Sequence, residues 1–390
     1  MLAGLLFAIE DAVDRPDVLA ATLPFGGASL IEFQARLLIA AGAVQIMIAV
    51  ARVTPELLGA ANRIGRRGVA VDIVRTAAEA AAKVHPLARV VVLADGLVTT
   101  ETMIAPFVGE GGDMLLVTEG DDGLERIDAG GRWAGIGRVG AQRLAEVAAM
   151  PRDYDFLSTL LRVTAQAGAA RLLVTAGSER AGHGIERDGQ GLARRGRGVF
   201  ADLAGTRVPW VDRWLFAPVA RVVLPALIAR GASPAALLAV GGVVSLTGLA
   251  GIWAGWTATG LFGASVGGAG YIVADMLAWL RGDDAEAKIA DYAAAVIAAA
   301  AMALAGYGED VVRGTATGSV LAVALIVAAV LVARITGLVG PRRWWASPAA
   351  YPVLLIPFAA LGQTMTGLAA LALYAALTLL GGIEDARAQP

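Results

Sequence analysis

Between residues 234 and 390 the chain is an almost unbroken series of apolar runs, at 234–254, 257–280, 287–306, 316–333, 347–362 and 365–381. Each is near the roughly 20 residues that a helix needs to cross hydrocarbon. A segment with so much apolar surface cannot fold as an ordinary water-soluble domain. The last two runs are parted only by Gly362-Gln363-Thr364, so six spans are expected, or five if those two act as one. Small residues dominate (LLAVGG, ASVGGAG, YAAAVIAAAAMALAG), which lets helices approach closely without large side chains.

The rest of the chain is different. Over all 390 residues 57% are hydrophobic, and the mean hydropathy is +0.65. That is too apolar for a soluble protein and too polar for a chain that is all membrane, so a split architecture follows. The net charge of -2 implies no nucleic-acid partner. Cysteine is absent and only His85 and His183 are present, which excludes thiolate and multi-histidine metal sites. Any bound metal would be held by carboxylates, favouring Mg²⁺, Mn²⁺ or Ca²⁺. The opening MLAGLLFAIEDAVDRPD lacks a positive n-region and meets acids at once, so it reads as a buried strand and not a secretory signal. The first domain is expected in the cytosol.

Residues 1–180 alternate short apolar runs with helical patterns. Strands are expected at 2–9, 44–51, 69–74, 90–94, 113–117 and 171–175, and helices at 29–41, 55–64, 76–83, 100–108, 141–149 and 154–167. That rhythm predicts βαβ units and a mostly parallel sheet, with ligands bound at the carboxyl ends of the strands. At one such end, in VVVLADGL, Asp95 either holds a divalent metal over a ligand phosphate or makes a turn with Gly96.

Residues 181–210 form a polar, Gly-rich connector in which His183 reads as a solvated loop residue and the second half as a helix. Residues 211–232 place Arg213, Arg221 and Arg230 among apolar residues with Trp214 and Phe216. This fits an amphipathic helix in the membrane interface or a buried connector. The membrane domain is expected over 233–383, with a tail at 384–390. With the first domain in the cytosol, cytosolic helix ends carry Arg213, Arg221, Arg230, Arg281, Lys288, Arg334, Arg342, Arg343 and Arg387, whereas opposite ends carry Arg313. The asymmetry satisfies the positive-inside rule and predicts an inner (cytoplasmic) membrane protein with both termini cytosolic.

Two resemblances emerge from these residues. LPFGGASLIEFQARLLIAAGAVQIMIAVAR (23–52), VLADGLVT (92–99) and RDYDFLSTLLRVTAQAGA (152–169) resemble segments of nucleotidyltransferases that make sugar- or alcohol-nucleotides. That resemblance implies a Rossmann-like domain with Asp95 as a metal ligand. The family's Gly-rich phosphate loop and its Lys are missing here; IEDAVDRPDVLAATLPFGG, with acids, takes their place.

The layout of residues 211–383 resembles the CDP-alcohol phosphatidyltransferase family, an interfacial helix followed by six spans. The inositol-phosphate branch of that family carries a nucleotidyltransferase domain ahead of them. The resemblance puts the active site at YIVADMLAWLRGDDAEAKIADYAAA (271–295), a cytosolic corner. Family members there carry D-x2-D-G-x2-A-R and then G-x3-D-x3-D. Those four aspartates hold two divalent metals on a CDP diphosphate, whose charge must be neutralised beside lipid. Asp275 stands for one of the first two aspartates and Asp291 for the third, while alanine stands at the fourth. The resemblance implies Asp291 as catalytic, Asp275 and Asp291 as metal ligands with Mg²⁺ or Mn²⁺, and Arg281, Asp283 and Asp284 as groups holding the CDP-activated lipid or alcohol. It also implies a homodimer. Two readings remain open. One is a transferase releasing CMP. The other is an inactive scaffold of the same fold that binds lipid or a partner, with Asp275 paired to Arg281 or Lys288.

Overall fold

The computed structural model describes residues 1–118, 125–128, 131–151, 155–206, 216–339 and 344–388. The chain divides into two units, Met1–Leu203 and Ala204–Pro390.

The first unit is built on one mixed, mostly parallel sheet. Its strands are β1 (Leu2–Ala8), β2 (Gln45–Val50), β3 (Ala70–Val74), β4 (Arg89–Leu93), β5 (Met114–Thr118), β6 (Arg126–Asp128), β7 (Gly131–Gly140) and β8 (Ala170–Leu173). Their order is β8-β5-β7-β4-β1-β2-β3, with β6 paired to β7. β1 runs parallel to both β2 and β4, and β2 parallel to β3. β1 is buried along its whole length, as a central strand covered on both faces must be. β7 runs antiparallel to β4 and β5; it and the short β6 paired to it lie outside the strands expected from the sequence. The β7 glycines at 131, 135, 137 and 140 hide any apolar alternation.

The helices α1 (Leu30–Ala40), α2 (Pro55–Gly65), α3 (Ala77–Lys83), α4 (Glu101–Val108), α5 (Ala141–Ala148), α6 (Phe156–Gln166), α7 (Ala176–Arg180) and α8 (Gly189–Thr206) fill the connections. Local chemistry sets their starts. Ser29 and Glu32 form a capping box at α1, Thr54 caps α2 and Asp155 accepts the Ser158 N–H at α6. Gly4 permits β1 to lie against α1, because a Cβ there would stand 2.8 Å from the Ile46 side chain and in contact with Leu38.

The second unit is helical: α9 (Ala217–Ala229), α10 (Pro234–Trp253), α11 (Thr257–Arg281), α12 (Asp284–Arg313), α13 (Thr317–Val339), α14 (Ala350–Ala360) and α15 (Thr364–Ala388). Five of these, α10 to α13 and α15, are long and apolar enough to cross a membrane, which makes the chain a membrane-associated protein. The run 347–362 departs from the six-span expectation. Only 11 residues of it are helical, with Pro357 inside the helix, and 11 residues rise about 16 Å, half of the hydrocarbon core. α15 continues to Ala388, so residues 384–388 extend the last helix. Of the expected interfacial segment, α9 is described, while Arg213 and Trp214 lie outside the described residues, as do Arg342 and Arg343. Small residues bring α10 and α11 backbone to backbone. A Cβ on Gly248 would stand 2.7 Å from the Gly260 carbonyl oxygen. Asp310 closes the α12–α13 turn by accepting the N–H groups of Gly318 and Ser319 at 2.6 and 2.8 Å.

Candidate functional site

In the first unit the carboxyl ends of β1 and β4 lie side by side, and Asp95 sits just past β4. Its side chain is buried, and Oδ2 accepts the backbone N–H groups of Ile9 and Glu10 at 2.7 and 2.8 Å. It thereby clamps the exit of β1. Oδ1 has no hydrogen-bond partner. Burial pushes the carboxyl up to about 6, against the two N–H groups and the nearby Arg187 charge, which pull it down. Gly96 follows with φ +74°, and a Cβ there would stand 2.6 Å from the Glu186 carbonyl oxygen, so the Asp-Gly pair does make a turn that needs glycine.

The segment after β1 folds back on itself at the end of that strand. Residues Asp11–Ala12 and Arg15–Leu19 pair as a small hairpin. Arg52 binds Asp11 at 2.5 Å, Arg187 stands 3.5 Å from Glu10, and Asp14 accepts the Gly189 N–H. Three acids of this segment, Glu10, Asp11 and Asp14, are thus held by the protein's own cations and amides. Arg187, which no motif pointed to, is brought there from the connector. A cleft of about 380 Å³ opens at the ends of β1, β2 and β3, lined by Ile9, Val50, Arg75, Asp155 and Thr159 among others.

His183 is not a solvated loop residue. It is 3% exposed, with Nε2 3.0 Å from the Ala134 carbonyl oxygen and Nδ1 3.0 Å from the Thr99 hydroxyl. A carbonyl can only accept, so Nε2 carries the proton and Nδ1 accepts from Thr99. Burial depresses its pKa to about 4, with Arg195 adding to the shift. It is a neutral core histidine.

In the second unit the α11–α12 corner forms as a two-residue turn. Gly282, at φ +79°, ends α11, and the Asp283 N–H returns to the Ala278 carbonyl at 2.9 Å. Asp275 and Asp291 lie about 9 and 10 Å along their helices from this turn. Asp275 is half-buried and engaged by a polar or charged partner. The Arg281 Nε is buried without a hydrogen-bond partner, as is the Glu286 Oε2. Asp283 and Asp291 are exposed, and nothing of the Asp284 side chain is described. Asp291 lines a cavity of about 410 Å³ between α12, α13 and α14 together with Arg334 and Tyr351. Neither Asp275, Arg281 nor Asp283 lines it. Among the described residues no three Asp, Glu or His side chains are grouped to hold a metal ion. An open bowl of about 1030 Å³ at the other end of the helices carries Trp253 stacked on Tyr307 at 5.8 Å, as an aromatic belt does.

No protein-family model matches the chain, and no curated protein matches it. Among solved structures it is similar to an inositol-1-phosphate CTP transferase from T. maritima. That match has 12% identity and a TM-score of 0.35, and covers 48% of this chain and 86% of that one. It is likewise similar to HddC from Yersinia pseudotuberculosis, with 10% identity and a TM-score of 0.34, covering 45% and 90%. These likenesses are too distant to assign an activity. What the two units themselves define is a membrane-associated protein with an α/β domain ahead of its apolar helices.

Proposed function

We propose that this protein is a membrane-embedded, phosphatidyltransferase-like scaffold that binds lipid and does not transfer nucleotides. The observation that carries this reading is the fate of Asp95. One of its oxygens is spent on the backbone of Ile9 and Glu10, and an acidic hairpin tied by Arg52 and Arg187 occupies the end of β1. A triphosphate needs free N–H groups and cations there. In the helical unit Asp291 opens onto a cavity that Asp275 does not share, whereas diphosphate chemistry on paired metals needs carboxylates that converge. The charge asymmetry of the helix ends supports an inner-membrane location with the α/β unit in the cytosol.

One observation favours a second reading, transfer from a CDP-activated lipid or alcohol with release of CMP. Asp275 and Asp291 stand at similar depths on consecutive helices that meet at a tight turn. Under that reading these two would hold Mg²⁺ or Mn²⁺, the chain would pair as a homodimer, and Asp291 would serve the acceptor.

The test is a thermal-shift series on the detergent-purified full chain, with phospholipid, CDP or CDP-diacylglycerol, each with and without Mg²⁺ or Mn²⁺. A ligand that binds only the folded state raises its apparent stability. The expected result is a shift by phospholipid that needs no metal. A metal-dependent shift by CDP compounds, abolished in Asp275→Asn/Asp291→Asn, overturns the scaffold reading and establishes the transferase one.

A further inference from the structure

The cavity between α12, α13 and α14 has a polar mouth and an apolar floor. From Asp291 at its mouth to Met302 at its floor the lining follows α12 for 11 residues, or about 16 Å. That is the depth of one leaflet, roughly half of a 30 Å hydrocarbon core. The volume of about 410 Å³ falls in the range of sites for a single small ligand, about 300–1,000 Å³. Ala295, Ala298 and Ala299 keep the α12 wall low.

Polar residues line it. Asp291 and Arg334, of opposite charge, line the mouth, and neither makes an ion pair or hydrogen bond to the other. Tyr351 also lines it; it is 1% exposed, yet its hydroxyl has no hydrogen-bond partner. An unpaired buried hydroxyl is costly, and an acceptor oxygen on a bound molecule would satisfy it. An occupant must therefore offer a long apolar chain, an ester or phosphate oxygen near Tyr351, and a headgroup with both charges.

We infer that this cavity takes one acyl chain of a zwitterionic glycerophospholipid drawn from the bilayer. Arg334 holds its phosphate, Asp291 its ammonium group, and Tyr351 donates to a lipid oxygen. The inference rests on the lipid-binding reading of the helical unit and names its ligand class. Neither Arg334 nor Tyr351 belongs to the corner at 271–295.

The experiment uses the full chain, delipidated in detergent. Dioleoylphosphatidylethanolamine is titrated and followed by native mass spectrometry and thermal shift. Parallel arms contain dioleoylphosphatidylglycerol, or inorganic phosphate with ethanolamine. Phosphatidylethanolamine is expected to bind at one site per chain, and phosphate with ethanolamine to give no shift. Ala299→Trp, which fills the floor, is expected to abolish the site. Tyr351→Phe is expected to weaken binding about fivefold, the worth of one ordinary hydrogen bond. Arg334→Gln is expected to weaken it about tenfold, as for a charged hydrogen bond. Without lipid, Tyr351→Phe should melt at or above the wild-type temperature, because it removes an unpaired hydroxyl; with lipid the order should reverse. Binding unchanged in Ala299→Trp and Tyr351→Phe overturns the site, and equal affinity for phosphatidylglycerol overturns the headgroup assignment. A metal-dependent CDP shift in the same preparation bears only on the scaffold reading and leaves the lipid result standing.

Discussion

Asp95 and Glu10 meet across the ends of two parallel strands, the Glu10 backbone N–H donating to Asp95 Oδ2 at 2.8 Å. The same oxygen takes the Ile9 N–H at 2.7 Å, so one carboxylate fixes the direction in which the chain leaves β1. Asp95→Ala should leave both N–H groups without their acceptor and cost about 1–3 kcal/mol. Asp95→Asn keeps an acceptor oxygen and should cost less. Urea unfolding of the full chain in detergent, read on the transition of the α/β unit, checks both.

Acid should act on Asp95 and His183 in opposite senses. Burial raises Asp95 from 3.8 to about 6 in the folded protein. Between those values the folded state holds more protons, so this contribution is present below pH 3.8 and lost as pH rises through 6. Burial lowers His183 from 6.5 to about 4, so its contribution is present above pH 6.5 and lost as pH falls through 4. Each is worth about 3 kcal/mol at 1.36 kcal/mol per unit, and the two largely cancel between pH 4 and 6. Asp95→Asn should therefore make the α/β unit lose stability, relative to wild type, on acidification from pH 6 to 4. His183→Gln should make it gain stability over the same range. Variant-minus-wild-type unfolding energies across that interval decide it, and parallel curves for all three proteins refute it.

The α10–α11 contact should tolerate no added methyl at its closest point. A Cβ on Gly248 would stand 2.7 Å from the Gly260 carbonyl oxygen, so Gly248→Ala must push two backbones apart, at about 1–3 kcal/mol. Gly268, on the same α11 helix, has nothing within 4 Å of an added Cβ. There the change to alanine should be neutral or stabilising by up to about 1 kcal/mol, through helix propensity. Thermal unfolding of the helical unit should separate the two variants, with the α/β transition unmoved in both.

The sequence by itself determined the class of each half. A strand such as β1 is legible because Leu2–Ala8 runs apolar without a break, and α1 because its apolar residues recur at helical spacing over 29–41. The long helices are legible because a run of about 20 apolar residues has few other ways to satisfy its backbone. β7 was hidden because glycine carries no side chain by which a face can be read.

Tertiary structure alone decided what the polar residues do. The polar, glycine-rich neighbours of His183 predict a solvated side chain, but its partners are Thr99 and Ala134, 84 and 49 residues away. Asp95 was readable as a strand-end carboxylate, yet whether it serves a ligand or the backbone depended on where β1 ends beside it. Asp275 and Asp291 have spacings that place them at matching depths, but spacing does not say which face meets which neighbour. Asp291 faces a cavity made with α13 and α14, so its surroundings come from Arg334 and Tyr351, 43 and 60 positions further on. Periodicity and hydropathy are local properties and survive in one dimension. The partners of a buried polar group are set by chain closure over tens of residues, which leaves no local signal.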